Sequence, residues 1–260
     1  MPAGYAHYVF GEQVFSQLDD SIKNRIQPYI DLYHIGIHGP DILFYYDVYK
    51  SNPVKSLGFK MHTLPAYPFF IKAKQLIKED ATDASLAYTI GFITHFTLDS
   101  SLHPEVYRLQ DSLSMTHSEL ESELDRELLV REGKDPLTSS LTLHIHPDYM
   151  NAQVISRFFG LTSEEVLKSL NDLLFILKWL VAPSSIKRKF VYSVMKIGGL
   201  YDEYKGLLIN YEKNMKCADD IDHLIHMKDE AVSLAVKLIN EYIAHLDDDT
   251  LNERFKEDYE

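Results

Sequence analysis

His95, Asp99 and His103 lie four residues apart in the run GFITHFTLDSSLHPEV. On a helix each step of four advances about 6 Å and rotates about 40°, so imidazole, carboxylate and imidazole share one face. Phe92, Ile93, Phe96 and Leu98 surround them, an apolar setting in which a charge needs compensation. A bound cation is the simplest form of it. A lone helical histidine is more often a hydrogen-bonded core or surface residue, and it is the register of three that changes this reading. His117 and Glu121 repeat the four-residue step in THSELESELD, where on their own they would read as a solvated pair. Two helices carrying mixed nitrogen and oxygen donors can enclose more than one borderline cation such as zinc.

The chain has 260 residues, 45% hydrophobic and 25% charged. It is long enough to bury a substantial core, and nothing in its composition demands a second domain. The expectation is an all-α, single compact multi-helix domain over 1–246, followed by an acidic tail over 247–260. Ligands fall in 1–125, and the later helices supply packing and pocket walls. The tail holds seven acids against Arg254 and Lys256 and reads as a solvated, frayed end.

A formal net charge of -13 disfavours coating of nucleic acid or anionic membrane by basic contacts, so no stable nucleic-acid binding and no basic membrane patch are expected. The apolar stretch LLFILKWLV is too short to span a bilayer, so no transmembrane segment is expected. MPAGYAHYVFGEQ lacks the features of a secretory signal, which suggests a cytoplasmic protein. Cys217, the single cysteine, reads as an ordinary free thiol.

Helical periodicity is expected over Tyr5 to Leu18, Pro28 to Ile37, Pro65 to Glu79, from Asp83 as a cap through His103, from Thr116 as a cap with Glu119 completing a capping box, and in four later segments. Pro104 should end or bend the helix beyond His103. Gly39-Pro40 places Asp41 on a turn, and Asn52-Pro53 with Gly58 marks a loop delivering His62. Leu137 to Asp148 is the one candidate for extended structure.

His7, GPD ending at Asp41, His62, the run of His95, Asp99 and His103, and His117 with Glu121 resemble, in order and spacing, the zinc-dependent phospholipase C family, whose fold is shared with fungal single-strand-specific nucleases. His34 and His38 are weaker candidates. The resemblance implies that Asp41, His62, His95 and Asp99 hold one zinc and that His103, His117 and Glu121 hold another. His7 and a bridging Asp99 would hold a third, with the amino group and carbonyl of the chain's own N-terminus, giving two or three ions. The family's mature N-terminus is tryptophan, which this chain lacks; with Met1 removed, Pro2 could donate instead. The Asp99–His103 interval is shorter than in the secreted lipases but keeps one helical face.

The resemblance further implies a phosphodiester hydrolase in which zinc makes a water reactive toward phosphorus, with Asp41 either ligating zinc or orienting that water. The substrate would be a phospholipid headgroup or a small phosphoester. A single-strand nuclease, or a non-catalytic metal-binding helical protein, are the alternatives; a helical di-iron protein would show paired Glu-x-x-His motifs, which the chain lacks. His144 and His146, His223 and His226, and His245 read as structural or surface residues. Phe44, Tyr45, Tyr46 and Tyr49 read as core packing in preference to a cation-π site for a choline-sized group.

Overall fold

Capping side chains decide where a nearly continuous helical pattern is cut. Asn52 and Asp148 each accept a hydrogen bond from the backbone N–H three residues on, at 2.8 Å. Thr116 with Glu119 and Thr162 with Glu165 form capping boxes, which satisfy donors that a helix start leaves open. The computed structural model describes residues 4–260, with Glu203 described without its side chain. Its helices are α1 (Gly4–Gln17), α2 (Asp20–Ile26), α3 (Ile30–Gly36), α4 (Pro53–His62), α5 (Tyr67–Glu79), α6 (Ala84–Leu113), α7 (His117–Arg131), α8 (Tyr149–Phe159), α9 (Ser163–Leu180), α10 (Ser185–Ile197), α11 (Tyr201–Tyr204) and α12 (Ala218–Ala244), with short 3-10 turns such as Gly39–Tyr45 between them. The fold is all-α, with no strand among the described residues.

Helix α6 runs through the centre of the molecule. Every residue from Ala84 to Ser100 is buried, with α3, α12, α1, α5, α7 and α8 packed around it. The hydroxyls of Thr89, Thr94, Thr97 and Ser100 fold back onto carbonyls one turn earlier, at 2.7–2.9 Å, so these four enter the core with their donors satisfied. The α3–α6 crossing is close because it is made by glycines: a Cβ on Gly36 would lie 2.5 Å from the Tyr88 carbonyl oxygen.

Several local expectations are corrected. Residues 53–62, read as a loop, form α4, because the Asn52 cap and Pro53 at the first helical position favour a helix start. Asp83 does not cap α6 with its side chain; the Arg25 guanidinium takes it at 2.6 Å. Leu137 to Asp148 forms turns, with Asp135 accepting from the Leu137 N–H at 3.0 Å and the Thr138 hydroxyl at 2.8 Å, local bonds that compete with a strand ladder.

Pro104 does not end the helix but lies inside α6. Proline cannot donate to the carbonyl of Ser100, and Arg254 supplies the donor instead, at 2.8 Å, with a second bond of 3.2 Å to the Ser100 hydroxyl.

That arginine belongs to the acidic tail, which is docked and not frayed. Phe255 and Tyr259 are buried; Phe255 packs on Phe70 with ring centroids 4.4 Å apart and on Phe96 at 5.5 Å. Backbone bonds join Ala66 N–H to the Glu257 carbonyl at 3.0 Å and Tyr259 N–H to the His62 carbonyl at 3.2 Å. Two aromatics and one arginine thus outweigh the acids, which stay largely at the surface. Phe255→Ala should cost about 3–5 kcal/mol in urea unfolding; a change below about 0.5 kcal/mol, typical of an exposed position, would contradict the docked tail.

Candidate metal centre

Each donor side chain is held by a local feature of the chain. Gly39 adopts φ +50°, and a Cβ there would collide with the His95 ring, so only glycine lets the Gly39–Tyr45 turn press Asp41 against α6. The turn is tied down by the Ser169 hydroxyl of α9, which donates to the Ile42 carbonyl. His62 is the last residue of α4. Helix α6 presents His95, Asp99 and His103 in register, and α7 presents His117 and Glu121 one turn apart. His7 enters on α1, whose first turn is fixed by the Asp125 side chain, which accepts the N–H groups of Tyr5 at 3.3 Å and Ala6 at 2.8 Å while burial pushes its pKa up to about 8.

These side chains converge on two adjacent cages. Donor atoms of Asp41, His62, His95 and Asp99 all lie within 4.8 Å of one another, as do those of His103, His117 and Glu121. In the first cage His62 Nε2 is 2.9 Å from Asp41 Oδ1, and His95 Nε2 is 3.0 Å from Asp99 Oδ2. The diagonals, His62 to Asp99 and His95 to Asp41, are 3.8 and 3.9 Å. In the second, Glu121 Oε1 is 3.0 Å from His117 Nε2 and 3.8 Å from His103 Nε2. Asp99 joins them: while Oδ2 faces the first cage, Oδ1 lies 3.1 Å from His7 Nε2 and 4.0 Å from His103 Nε2.

Hydrogen bonds behind the rings aim them. His62 Nδ1 donates to the Gly58 carbonyl at 2.9 Å, and His103 Nδ1 to the Tyr259 carbonyl at 2.6 Å. His117 Nδ1 lies 3.2 Å from the Gln110 side-chain oxygen. A proton on Nδ1 leaves the Nε2 lone pair facing the cage, the usual arrangement behind a metal-binding histidine.

The electrostatics fit cations. Asp41, Asp99 and Glu121 are buried, and histidines are their ion-pair partners. Asp41 Oδ1, His62 Nε2, His95 Nε2, Asp99 Oδ2, His117 Nε2 and Glu121 Oε2 have no well-formed hydrogen bond. Three buried carboxylates and their orphaned donors would be costly alone. Donors about 2.0–2.2 Å from zinc at tetrahedral angles stand roughly 3.4 Å apart, and the measured separations bracket that value. Burial holds His95 below its ordinary pKa. Burial opposes ionisation of Asp99 too, but the rings of His95, His103 and His7 overcome it and hold the carboxyl far below its usual range.

The family model described as Zinc dependent phospholipase C matches residues 6–173. The chain belongs to the zinc dependent phospholipase C family. Comparison with curated proteins and with solved structures gives no match. As a member of this hydrolase family with two buried clusters of metal-type side chains, the chain has the features of a zinc phosphoesterase.

Within this family member, seven of the eight residues singled out in the sequence form the two cages, and the eighth, His7, touches Asp99. Pro2 and the terminal amine lie outside the described residues. His34 points elsewhere, its Nε2 3.0 Å from Glu12. His38, by contrast, is buried with its Nε2 2.7 Å from that of His144. The two rings are stacked, and His144 stacks in turn on Tyr8 with centroids 4.2 Å apart. Burial drives both imidazoles down, His144 to about 3, so this is a neutral pair backing the first turn of the site. Sequence reasoning missed the contact between His38 and His144, the Tyr259 carbonyl, Gln110 and Asp125; Asp125 carries a spacing signal, four residues beyond Glu121, and the roles of the others are set by tertiary packing.

A cavity of about 760 Å³ opens at His62 and His117. Phe44, Tyr45 and Tyr49, read as core packing, line it. Phe44 stacks on Phe59 at 4.4 Å and stands 5.0 Å from the His62 ring. Trp179 of α9 and Val194 of α10 close the far side.

Protons and cations compete for this site. Burial alone would lower the pKa of His103, but Asp99, then Glu121 and the Tyr259 carbonyl, outweigh it and raise it to about 9. The resulting stability is fully present below the unfolded value of about 6.5 and is lost as pH rises through 9. Metal-free protein should therefore lose on the order of 2–3 kcal/mol of unfolding free energy between pH 6.5 and 9. Zinc should bind with proton release and tighten over the same range. Urea melts in chelator and calorimetry in buffers of different ionisation enthalpy read both; a flat pH profile and no proton release would show that His103 is not clamped between the two carboxylates.

Proposed function

We propose that this chain hydrolyses the phosphodiester linkage of a phospholipid headgroup. The observation that carries the reading is the continuity of the donor cages with a cavity of about 760 Å³ whose walls are aromatic and aliphatic. A small soluble phosphoester would leave such walls in water, whereas a lipid's apolar portion gains roughly 25 cal/mol for each Å² it buries there. Asp41, His62, His95 and Asp99 would hold one zinc, and His103, His117 and Glu121 a second; His7 and the free side of Asp99 favour a third. Zinc so bound supplies an activated water and neutralises phosphate oxygens.

This chain's own residues do the rest. Gly58, Tyr259 and Gln110 keep the His62, His103 and His117 lone pairs inward. Asp99 fixes the spacing of the cages with its two oxygens, and Asp41 either completes the first donor set or takes the water's proton. Phe44, Phe59 and Trp179 exclude bulk water from the approach. A single-strand nuclease would want a basic groove beside its stacking aromatics, whereas Lys55 is the one lysine or arginine among the residues lining this cavity, which favours the lipid reading.

Asp99→Asn should lower turnover of phosphatidylcholine by roughly 10²–10⁴-fold, the range expected when the group organising a water nucleophile is removed. Zinc content of the purified protein should fall with it. A scaffold that uses metal only for stability would show no turnover in the parent and a drop only in metal content and melting temperature. Hydrolysis of single-stranded DNA in preference to phosphatidylcholine would establish the nuclease instead.

A further inference from the structure

Helix α10 lies beyond the residues the family model matches, and its surface is unlike the rest of the molecule. Val191 is its one buried residue, while Ile186, Phe190 and Ile197 are 81%, 55% and 89% exposed. At about 100° per residue these three fall within roughly 40° of one another around the helix, so they form a single apolar ridge. The ridge continues onto Phe175 and Trp179 of α9, both exposed, with the Trp179 and Phe190 rings 5.7 Å apart.

Along the segment that carries the ridge, the charge has one sign. From Leu173 to Tyr201 there are five basic residues, Lys178, Lys187, Arg188, Lys189 and Lys196, and no Asp or Glu. Two of the five are occupied inward: Lys187 bonds the Val181 carbonyl at 2.6 Å, and Arg188 bonds the Ile209 carbonyl at 2.5 Å and lies over Tyr211. Lys178, Lys189 and Lys196 are exposed, with Lys189 and Lys196 together along one edge of the ridge. In a chain with 39 acids this stretch is a local reversal of charge, which the total alone conceals.

We infer that α10, with the exposed edge of α9, docks the protein on an anionic lipid bilayer. A helix with an apolar face bordered by lysines lies in the plane of a bilayer interface, its apolar residues at the acyl boundary and its charges on the headgroups. No helix among the described residues is long and apolar enough to cross a membrane, so the contact is interfacial. Continuity with the cavity selects a bilayer over a protein partner: Phe190, Val194, Phe175 and Trp179 belong to both the outer ridge and the cavity wall. A lipid leaving the bilayer at the ridge would meet an unbroken apolar path inward. The inference rests on the proposed lipid hydrolysis for its purpose, and on exposure and charge for its chemistry.

The test is sedimentation of the full chain with vesicles of phosphatidylcholine alone or with roughly 30% phosphatidylserine, measured with and without zinc. The protein should partition onto anionic vesicles at least tenfold more strongly than onto neutral ones. Raising salt from about 0.1 to 0.5 M should weaken this binding. Ile186→Ser with Ile197→Ser, and separately Lys189→Glu with Lys196→Glu, should each reduce it by about tenfold or more. Melting temperature and turnover of a short soluble phosphodiester should stay at the parental level, since none of the four residues lines the cavity. Absence of parental binding to anionic vesicles, or equal binding by either double variant, would overturn the docking role. So would a dimer that the serine variant dissolves while vesicles remain unbound. Vesicle binding that persists in a protein inactive on every phosphoester would leave docking standing and remove the hydrolase reading, so the two fail separately.

Discussion

An ionised carboxylate within the buried part of the central helix is the constraint around which this molecule is arranged. Asp99 has almost no contact with solvent, and leaving its charge there uncompensated would cost several kcal/mol. Its two oxygens face in opposite directions, one toward His95 and His62, the other toward His7 and His103. The consequence is global: α1, α4, α7 and the Gly39–Tyr45 turn must all end or bend where their donors reach one point on α6. The glycine contacts at α3 and at Gly39 allow that approach, since a Cβ at either would strike backbone or the His95 ring.

The same convergence explains what could be read from the sequence and what could not. His95, Asp99 and His103, and His117 with Glu121, were legible because helical geometry converts a spacing of four into a shared face without knowledge of the rest of the fold. Asp41, His62 and His7 have no such local signature, and became candidates through the order of residue types in the family resemblance. The groups that aim the rings were invisible. The Tyr259 carbonyl lies 156 residues from His103 along the chain, and a backbone oxygen has no residue type to recognise. The all-α class followed from periodicity, but the start of α4 was misread because Asn-Pro can open a helix as well as a turn, and only the tertiary setting decides.

The tail shows how composition misleads when a few residues carry the binding energy. Seven acids in fourteen residues suggest repulsion from an acidic body. Burial of Phe255 and Tyr259 contributes a few kcal/mol apiece, more than solvated surface acids can oppose at ordinary salt. Arg254 adds specificity, because Pro104 leaves one particular carbonyl of α6 in need of a donor. The proline thus does not break the helix; it creates the receptor for the segment that delivers the Tyr259 carbonyl to His103.

Net charge is a sum, and a surface is met locally. At physiological salt the potential of a charge decays over about 8 Å, much less than the width of a domain of this size, so an approaching bilayer senses chiefly the face nearest to it. An acidic body bearing one basic, apolar helix is then better oriented than a uniformly basic one would be: other faces are repelled by anionic headgroups, and α10 is the face that can come within contact. The cavity wall and the docking ridge share residues, so the orientation that brings α10 to the bilayer also brings the mouth of the site there. In this arrangement the acidity that argued against membrane contact becomes the means of directing it.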